Sequence, residues 1–436
     1  MNETLFTHRT IRTRPHFGGG RLGQLCAAIC CLLGTATFAQ TWEVFDNVTA
    51  AFPSNNTSDI VEDADGIIWA GTGFGLCRYD GSGWSVWQSD NSGLPGNSVK
   101  CLGVDSTNRL WVGTLLNGIG IYDGSSWDYL NTDNSPLPDN EINCITFDHR
   151  GWVWIGTYLG VVCYTGTDWR LYNSSDTSYG GLMMHGNVIE DIGVREDGLV
   201  AICTQNGGFH YLTDTSIVFL TTFDDQFPDN TQNSVAFDTV NDERWLATPS
   251  QGLLRQGGGW ENGPWFQYTT SNSTIPSNSV TCVVVDDLSR VWLGTLIAGI
   301  GVRDPNGSFI SYNSINSELP NNTIESILLA SDGSVWVATG FGGVARLTFQ
   351  GAIKEFAQAD FELFPNPCAG RVNIRFKEDR ADWSWSISDS QGRSLRNGRA
   401  SHGDQQLEVT GLSAGMYVVN VNVGSGPMTR KFQILQ

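Results

Sequence analysis

Short alternations of apolar and polar residues follow one another from residue 41 to the C-terminus, separated by clusters of Gly, Asp, Asn and Ser. Period-two alternation broken by turn formers every roughly 8–12 residues predicts strands joined by hairpins. One run recurs: GIIWAGT, RLWVGT, WVWIGT, ERWLATP, RVWLGT and SVWVAT carry Trp69, Trp111, Trp154, Trp245, Trp292 and Trp336. A degraded copy, DGLVAICTQNGG, puts Ala201 in the Trp position, so successive copies lie 42, 43, 47, 44, 47 and 44 residues apart. Each copy reads as four strands: an apolar strand ending in Asp (SVKCLGVD), the Trp strand, a Gly-led third strand (GIGIYDG) and an aromatic fourth (WDYL). Such a unit cannot bury both faces of its sheet alone, so copies must stack around a closed ring. The predicted fold class is all-β: a seven-bladed β-propeller followed by a small β-sandwich.

Outer strands number one more than the blades need. They are expected at Trp42–Phe45, Trp84–Trp87, Trp127–Leu130, Trp169–Tyr172, Ile217–Leu220, Trp265–Tyr268, Phe309–Tyr312 and Ile353–Phe356. The spacing after Trp42–Phe45 matches that after other outer strands, so this segment is expected to complete the last blade and tie the chain ends together.

The phrase N-x-V-x-x-L-x-x-D-x-x-x-x-x-W-x-G-T followed by G-I-x-x-Y-D-G, as in Asn97 to Trp127, resembles the two-component-regulator propeller repeat. The resemblance covers residues 41 to about 356. In that family such rings form periplasmic sensor portions of hybrid histidine kinases of Bacteroidetes, often answering to glycan fragments. No kinase or membrane-spanning helix follows the ring in this sequence, so what the resemblance implies is a binding scaffold and not signalling.

Composition shifts at both ends of the ring. Residues 1–39 hold Arg9, Arg12, Arg14 and Arg21 ahead of an apolar run that ends in small residues at Ala39, the order of a secretory signal peptide. Residues 40–359 are expected to form the propeller and 360–436 a sorting domain; the ring segment carries 36 acidic and 12 basic residues of the chain's 45 and 25. So acidic a ring argues against a nucleic-acid partner, which would need Lys and Arg for the phosphates. Seven cysteines follow residue 39, and their repeated single placement reads as small core residues more than a disulfide framework, although one or two bridges stay open.

The last segment contains Pro365-Asn366-Pro367, Gly370, Gly415-Met416-Tyr417 and Lys431 before a terminal apolar strand. Singly these are turn chemistry. In this order they resemble the type A sorting domain of the type IX secretion system, which implies the secretion machinery as a partner, passage through the outer membrane, and then release or surface attachment.

Candidate chemistry is sparse. His149, His185, His210 and His402 form no metal-ligand spacing, and no nucleophile or phosphate-loop motif occurs, so neither a metal nor a cofactor is expected. Acidic pairs such as Asp63/Asp65, Asp286/Asp287 and Glu196/Asp197 recur at the first hairpin of blades, where Asx side chains close turns. Streptogramin lyases share the expected architecture and use a His and a Glu near the channel; His185 and Glu190, behind a longer connection into the fourth blade, are the matching pair for an enzymatic alternative.

The connections into the inner strands and those linking second to third strands converge on one face. Phe74, Lys100, Leu115, Asn143, Tyr158, His185, Glu190, Glu325 and Phe341 are the candidate ligand-binding residues there. Aromatics with scattered amides and carboxylates suit a glycan or protein ligand; the competing reading packs Phe74 and Phe341 between blades. The expectation is a secreted or surface-displayed binding protein, with a purely structural module as a third possibility.

Overall fold

The computed structural model describes residues 40–349 and 361–434, apart from residues 176–183, 196, 213–216, 224–226, 258–263, 305–306, 367, 369, 377–382, 390–393, 401–404, 414 and 423–426. The expected signal peptide and the strand at Ile353–Phe356 lie outside the described residues.

Six of the seven recurring second strands are buried at every residue: Ile68–Thr72, Leu110–Thr114, Val153–Thr157, Val200–Thr204, Val291–Thr295 and Val335–Thr339. Each sits second in a four-stranded antiparallel sheet whose two faces are covered by neighbouring sheets, so its sequence runs apolar instead of alternating. Seven such sheets stand side by side. Each innermost strand packs against those of both neighbouring blades, and the innermost strand of blade seven, Ile324–Leu329, packs against that of blade one, Thr57–Glu62, closing the ring.

Repeated residues hold each blade in shape. An Asp at the end of the first strand accepts backbone N–H groups of the following turn and, with its second oxygen, the indole N–H of the Trp six residues on. Asp63–Trp69 measures 2.8 Å, and Asp105–Trp111 and Asp286–Trp292 each 3.0 Å. Burial alone would raise the Asp105 carboxyl, but hydrogen bonds from Thr107, Trp111 and Arg109 hold it at about 2. The acidic pairs are thus turn chemistry where these aspartates are described.

At the other end of the second strand, a fully buried Thr in all seven blades donates to the carbonyl of the hairpin Gly, as Thr157 does to Gly160 at 2.9 Å. That Gly takes a positive φ in every blade. At Gly160, φ is +133°, and a Cβ would stand 2.5 Å from the Tyr172 carbonyl oxygen of the outer strand. Only glycine fits there without displacing the outer strand.

Blade four has no Trp, and its cross-strand partner supplies the bulk. Where Trp69, Trp245 and Trp336 face Arg78, Arg255 and Arg346, Ala201 faces Tyr211, which is buried in a cluster with Phe209, Phe227 and Leu246.

Blade seven joins both ends of the ring. Gln40–Phe45 pairs antiparallel with Gly343–Phe349 along its whole length, from Gln40 opposite Phe349 to Phe45 opposite Val344. Phe45 stacks on Trp336 at 5.7 Å between ring centroids and meets Trp84 of blade one at 5.5 Å. The expected N-terminal strand is therefore the outer strand of the last blade.

Residues 361–434 form a two-sheet sandwich. One sheet holds Phe361–Phe364, Arg371–Phe376 and Gln405–Glu408; the other holds Trp383–Asp389, Ser394–Ala400, Gly415–Asn422 and Pro427–Ile434. Val372, Ile374, Ile387, Leu407, Val419 and Phe432 fill the space between them. Ser394–Ala400 is the edge strand of the second sheet, paired with Trp383–Asp389. All seven described cysteines are free thiols, so no bridge braces either unit.

Candidate functional site

The innermost strands line the axis of the ring, and six of the seven carry a register shift near the start, between Thr57 and Asp59 in blade one and at the matching place elsewhere. The extra residue of a bulge leaves backbone groups outside the ladder. Side chains of the adjacent blade satisfy them. Ser58, Asn143, Asn233 and Thr281 donate to the carbonyls of Val99, Ile189, Val280 and Ile324 in the following blade, at 2.5–2.8 Å. One residue further on, Asp59, Asp191 and Ser234 accept the backbone N–H groups of Leu102, Val235 and Val283. Ser326 of blade seven donates to Asp59 Oδ1 at 2.8 Å. Polar residues at the axis are therefore stitches between blades before they are ligand contacts.

Three axis positions carry charge instead. Lys100 Nζ lies 2.7 Å from Glu141 Oε1 and 2.6 Å from Asn143 Oδ1. Glu190 and Glu325 occupy the equivalent positions in blades four and seven, and burial pushes both carboxyls above the usual range. Burial also raises Asp191 and brings Asp59 to about 6. Among the described residues no group of three or more His, Cys, Asp and Glu side chains is placed to hold a metal ion.

The hairpins linking second and third strands stand around one mouth of the axis. Their tips expose apolar side chains on five consecutive blades, starting from blade six: Leu296 and Ile297, Phe341, Phe74, Leu116, then Tyr158 and Leu159. Ile297, Leu116, Phe341 and Phe74 are 71, 72, 69 and 63% exposed. Blades four and five present Gln205, Asn206, Ser250 and Gln251 instead, so the apolar tips form a crescent and not a full circle. The crescent is held firmly from below by the Thr–Gly bonds and by an Asn in each blade. Asn140 is typical: its Oδ1 accepts the Thr132 N–H at 2.9 Å and its carbonyl accepts the Gly118 N–H of the preceding hairpin.

Of the residues singled out from sequence, Phe74, Tyr158 and Phe341 are exposed hairpin tips and do not pack between blades. Leu115 is half-buried, its backbone N–H bonded to Ser98, and the tip is the next residue, Leu116. Lys100, Asn143, Glu190 and Glu325 lie on innermost strands at the axis. His185 is elsewhere: its ring stacks on Phe219 of the outermost strand of blade four at 4.0 Å, and its backbone N–H donates to His210 Nε2 at 2.9 Å. His210 is buried, and desolvation lowers it to about 4, which keeps the accepting imidazole neutral. Glu190 and Phe219 stand on strands three spacings apart in that sheet, on the order of 14 Å. The structure does not bring His185 and Glu190 together.

In the sandwich, the sequence motif gathers at the terminal strand. Asn366 Oδ1 accepts the Gln433 N–H at 2.9 Å, and the Cys368 N–H donates to the Gln433 carbonyl at 2.8 Å. Tyr417 OH donates to the Ser413 carbonyl at 2.8 Å while its ring packs 5.9 Å from Phe432. The Gly370 carbonyl accepts the Val409 N–H, and Gly415 begins the strand that pairs with the terminal one, Val418 standing opposite Lys431. Pro365 follows a cis peptide bond; Pro367 lies outside the described residues.

Comparison with known proteins agrees with both units. Residues 362–435 match the secretion system C-terminal sorting domain, and residues 51–74, 93–115, 136–159 and 318–341 match the two component regulator propeller. Among solved structures, the chain is similar to the extracellular domain of a hybrid two component system from B. thetaiotaomicron, at 17% identity and TM-score 0.61 over 90% of this chain and 57% of that one. It is similar to PorZ, a bacterial surface component of the type-IX secretion system of Porphyromonas gingivalis, at 17% identity and TM-score 0.54 over 90% of this chain and 60% of that one. Virginiamycin B lyase from Staphylococcus aureus is matched over its whole length and 71% of this chain, at 14% identity and TM-score 0.56. The chain thus spans less than two thirds of the first two, and at these identities the likeness is one of fold. No curated protein matches the sequence. The chain is a β-propeller protein with a sorting domain of the kind that directs export to the cell surface or beyond it.

Proposed function

We propose that this exported propeller is a recognition module whose ligand seats on the hairpin face at the mouth of the axis. The crescent of exposed tips carries the reading: solvent-facing Leu, Ile, Phe and Tyr side chains on five adjacent blades are the kind of contiguous apolar surface that soluble proteins keep for partners. Aliphatic tips outnumber aromatic ones, which favours a polypeptide over a glycan, because sugars need ring faces to stack on. The chain divides by role into a leader at residues 1–39, the ring at 40–359 and a tail at 360–436 that the type IX machinery reads. Probing the purified protein against arrays of polysaccharides and of proteins, alongside Phe74→Ala, Tyr158→Ala and Phe341→Ala variants, tests the face. Ligands that bind the parent and lose at least tenfold in the variants support it; ligands indifferent to all three substitutions refute it.

A further inference from the structure

The charge of the ring is sorted between its two faces. Ten arginines are described in the ring, and all lie toward the end of the blades that carries the first-to-second and third-to-fourth strand turns. Seven of them pair with carboxylates of those turns or the strands beside them, as Arg109 does with Asp105 and Arg290 with Asp286. On the hairpin face the one described cation is Lys100, which is already bonded to Glu141 and Asn143. Asp90, Asp133 and Glu318 are exposed in the connections leading into the blades of that same face, and Glu190 and Glu325 stand at the axis. None of these five carboxylates is in a salt bridge among the described residues. The face therefore combines apolar tips with uncompensated negative charge, while the cations that could neutralise it are bound at the opposite end.

We propose that the occupant of this face is a cationic polypeptide segment that also carries apolar side chains. This rests on the hairpin face being the binding surface, and it assigns the partner's chemistry. Apolar residues of the segment lie on the tips of blades six, seven, one, two and three, and its Lys and Arg side chains face the carboxylates of the connections and the axis. An anionic polysaccharide or an anionic membrane is repelled by the same groups, and a neutral glycan has no use for them. Complementary charge sets partner choice and speeds encounter, whereas the apolar contacts supply most of the residence time.

Three 14-residue peptides serve as probes for the purified full-length protein in fluorescence anisotropy: one of Leu and Lys, one with Glu in place of Lys, and one with Ser in place of Leu. The Leu/Lys peptide is expected to bind, each of the others at least tenfold more weakly, and a rise from 50 to 500 mM salt to weaken it fivefold or more, as screening requires. Glu190→Gln combined with Glu325→Gln is expected to weaken it about threefold, and Ile297→Ser combined with Phe341→Ser at least tenfold, the latter with an unchanged urea midpoint because those two tips are exposed. Equal binding of the Leu/Lys and Leu/Glu peptides, both lost in the Ile297/Phe341 variant, overturns the cationic assignment and leaves the face standing. Full binding of the Leu/Lys peptide to that variant overturns both. Equal binding of the Ser/Lys peptide overturns the apolar half of the partner's chemistry.

Discussion

Asp59→Asn offers a direct reading of how the axis is held together. Asp59 touches three blades: its Oδ2 accepts the Leu102 N–H of blade two, its Oδ1 accepts the Ser326 hydroxyl of blade seven, and Oδ1 also takes its neighbour's N–H at Ile60. Burial moves its carboxyl from 3.8 to about 6, against those three donors. The folded-state value lies above the unfolded one, so the fold favours the protonated acid. The contribution to stability is fully present below pH 3.8 and is lost as pH rises through 6. A shift of about two units corresponds to about 3 kcal/mol. Asparagine cannot ionise, and it adds a pH-independent cost of about 1–3 kcal/mol because its amide faces a backbone donor. Urea unfolding of parent and variant at pH 4 and pH 7.5 removes that constant cost by difference. The variant is expected to gain about 2 kcal/mol relative to the parent between the two pH values, because part of the linkage is already expressed at pH 4, while Glu190 and Glu325 titrate alike in both proteins and cancel. Parallel stability curves would refute the reasoning. A parent that gains on the variant as pH rises would show instead that the three donors hold Asp59 as an anion.

Three further outcomes are expected. Phe45→Ala removes the ring that lies between Trp336 and Trp84 and should lower unfolding free energy by about 2–4 kcal/mol in urea titrations. Asp105→Ala leaves the Trp111 indole and the turn N–H groups at Thr107 and Arg109 without their acceptor, and should cost about 2–3 kcal/mol by the same measurement. Deleting residues 360–436 should strand the ring in the periplasm, read by fractionating cells and blotting the medium and the outer membrane; continued appearance outside the cell would remove the tail from export.

The blade architecture was legible because each repeated letter has one structural job. Trp fills the space between blades, Asp ties down that Trp, Thr and Gly lock the hairpin, and Asn holds the connection, so a periodic alphabet translates into a periodic fold. The outer strands are visible for the same reason, down to Trp84–Trp87 and Trp127–Leu130. What stayed hidden depends on contacts between blades. That Ser58, Asn143 and Thr281 stitch one blade to the next follows from bulges, which leave no mark in hydropathy. Leu116 was missed in favour of Leu115 because a hairpin one residue longer than its neighbours moves the tip by one position. Ser394–Ala400 could not be read from sequence because SLRNGRA has no apolar alternation; its place as an edge strand against Trp383–Asp389 is supplied by the sheet. The crescent could not be seen from any single blade, because it is a relation among five.

The pairing of Gln40–Phe45 with Gly343–Phe349 also determines how the ring responds to tension. Gln40 stands opposite Phe349, so both chain ends leave the last blade from the same end of the pair. A pull between those ends loads one rung at a time, beginning at Gln40 and Phe349, in the manner of a zipper and not of a shear joint. Traction on the flanking segments would peel blade seven open from its outer edge while the other six blades bear no load until that seam has parted.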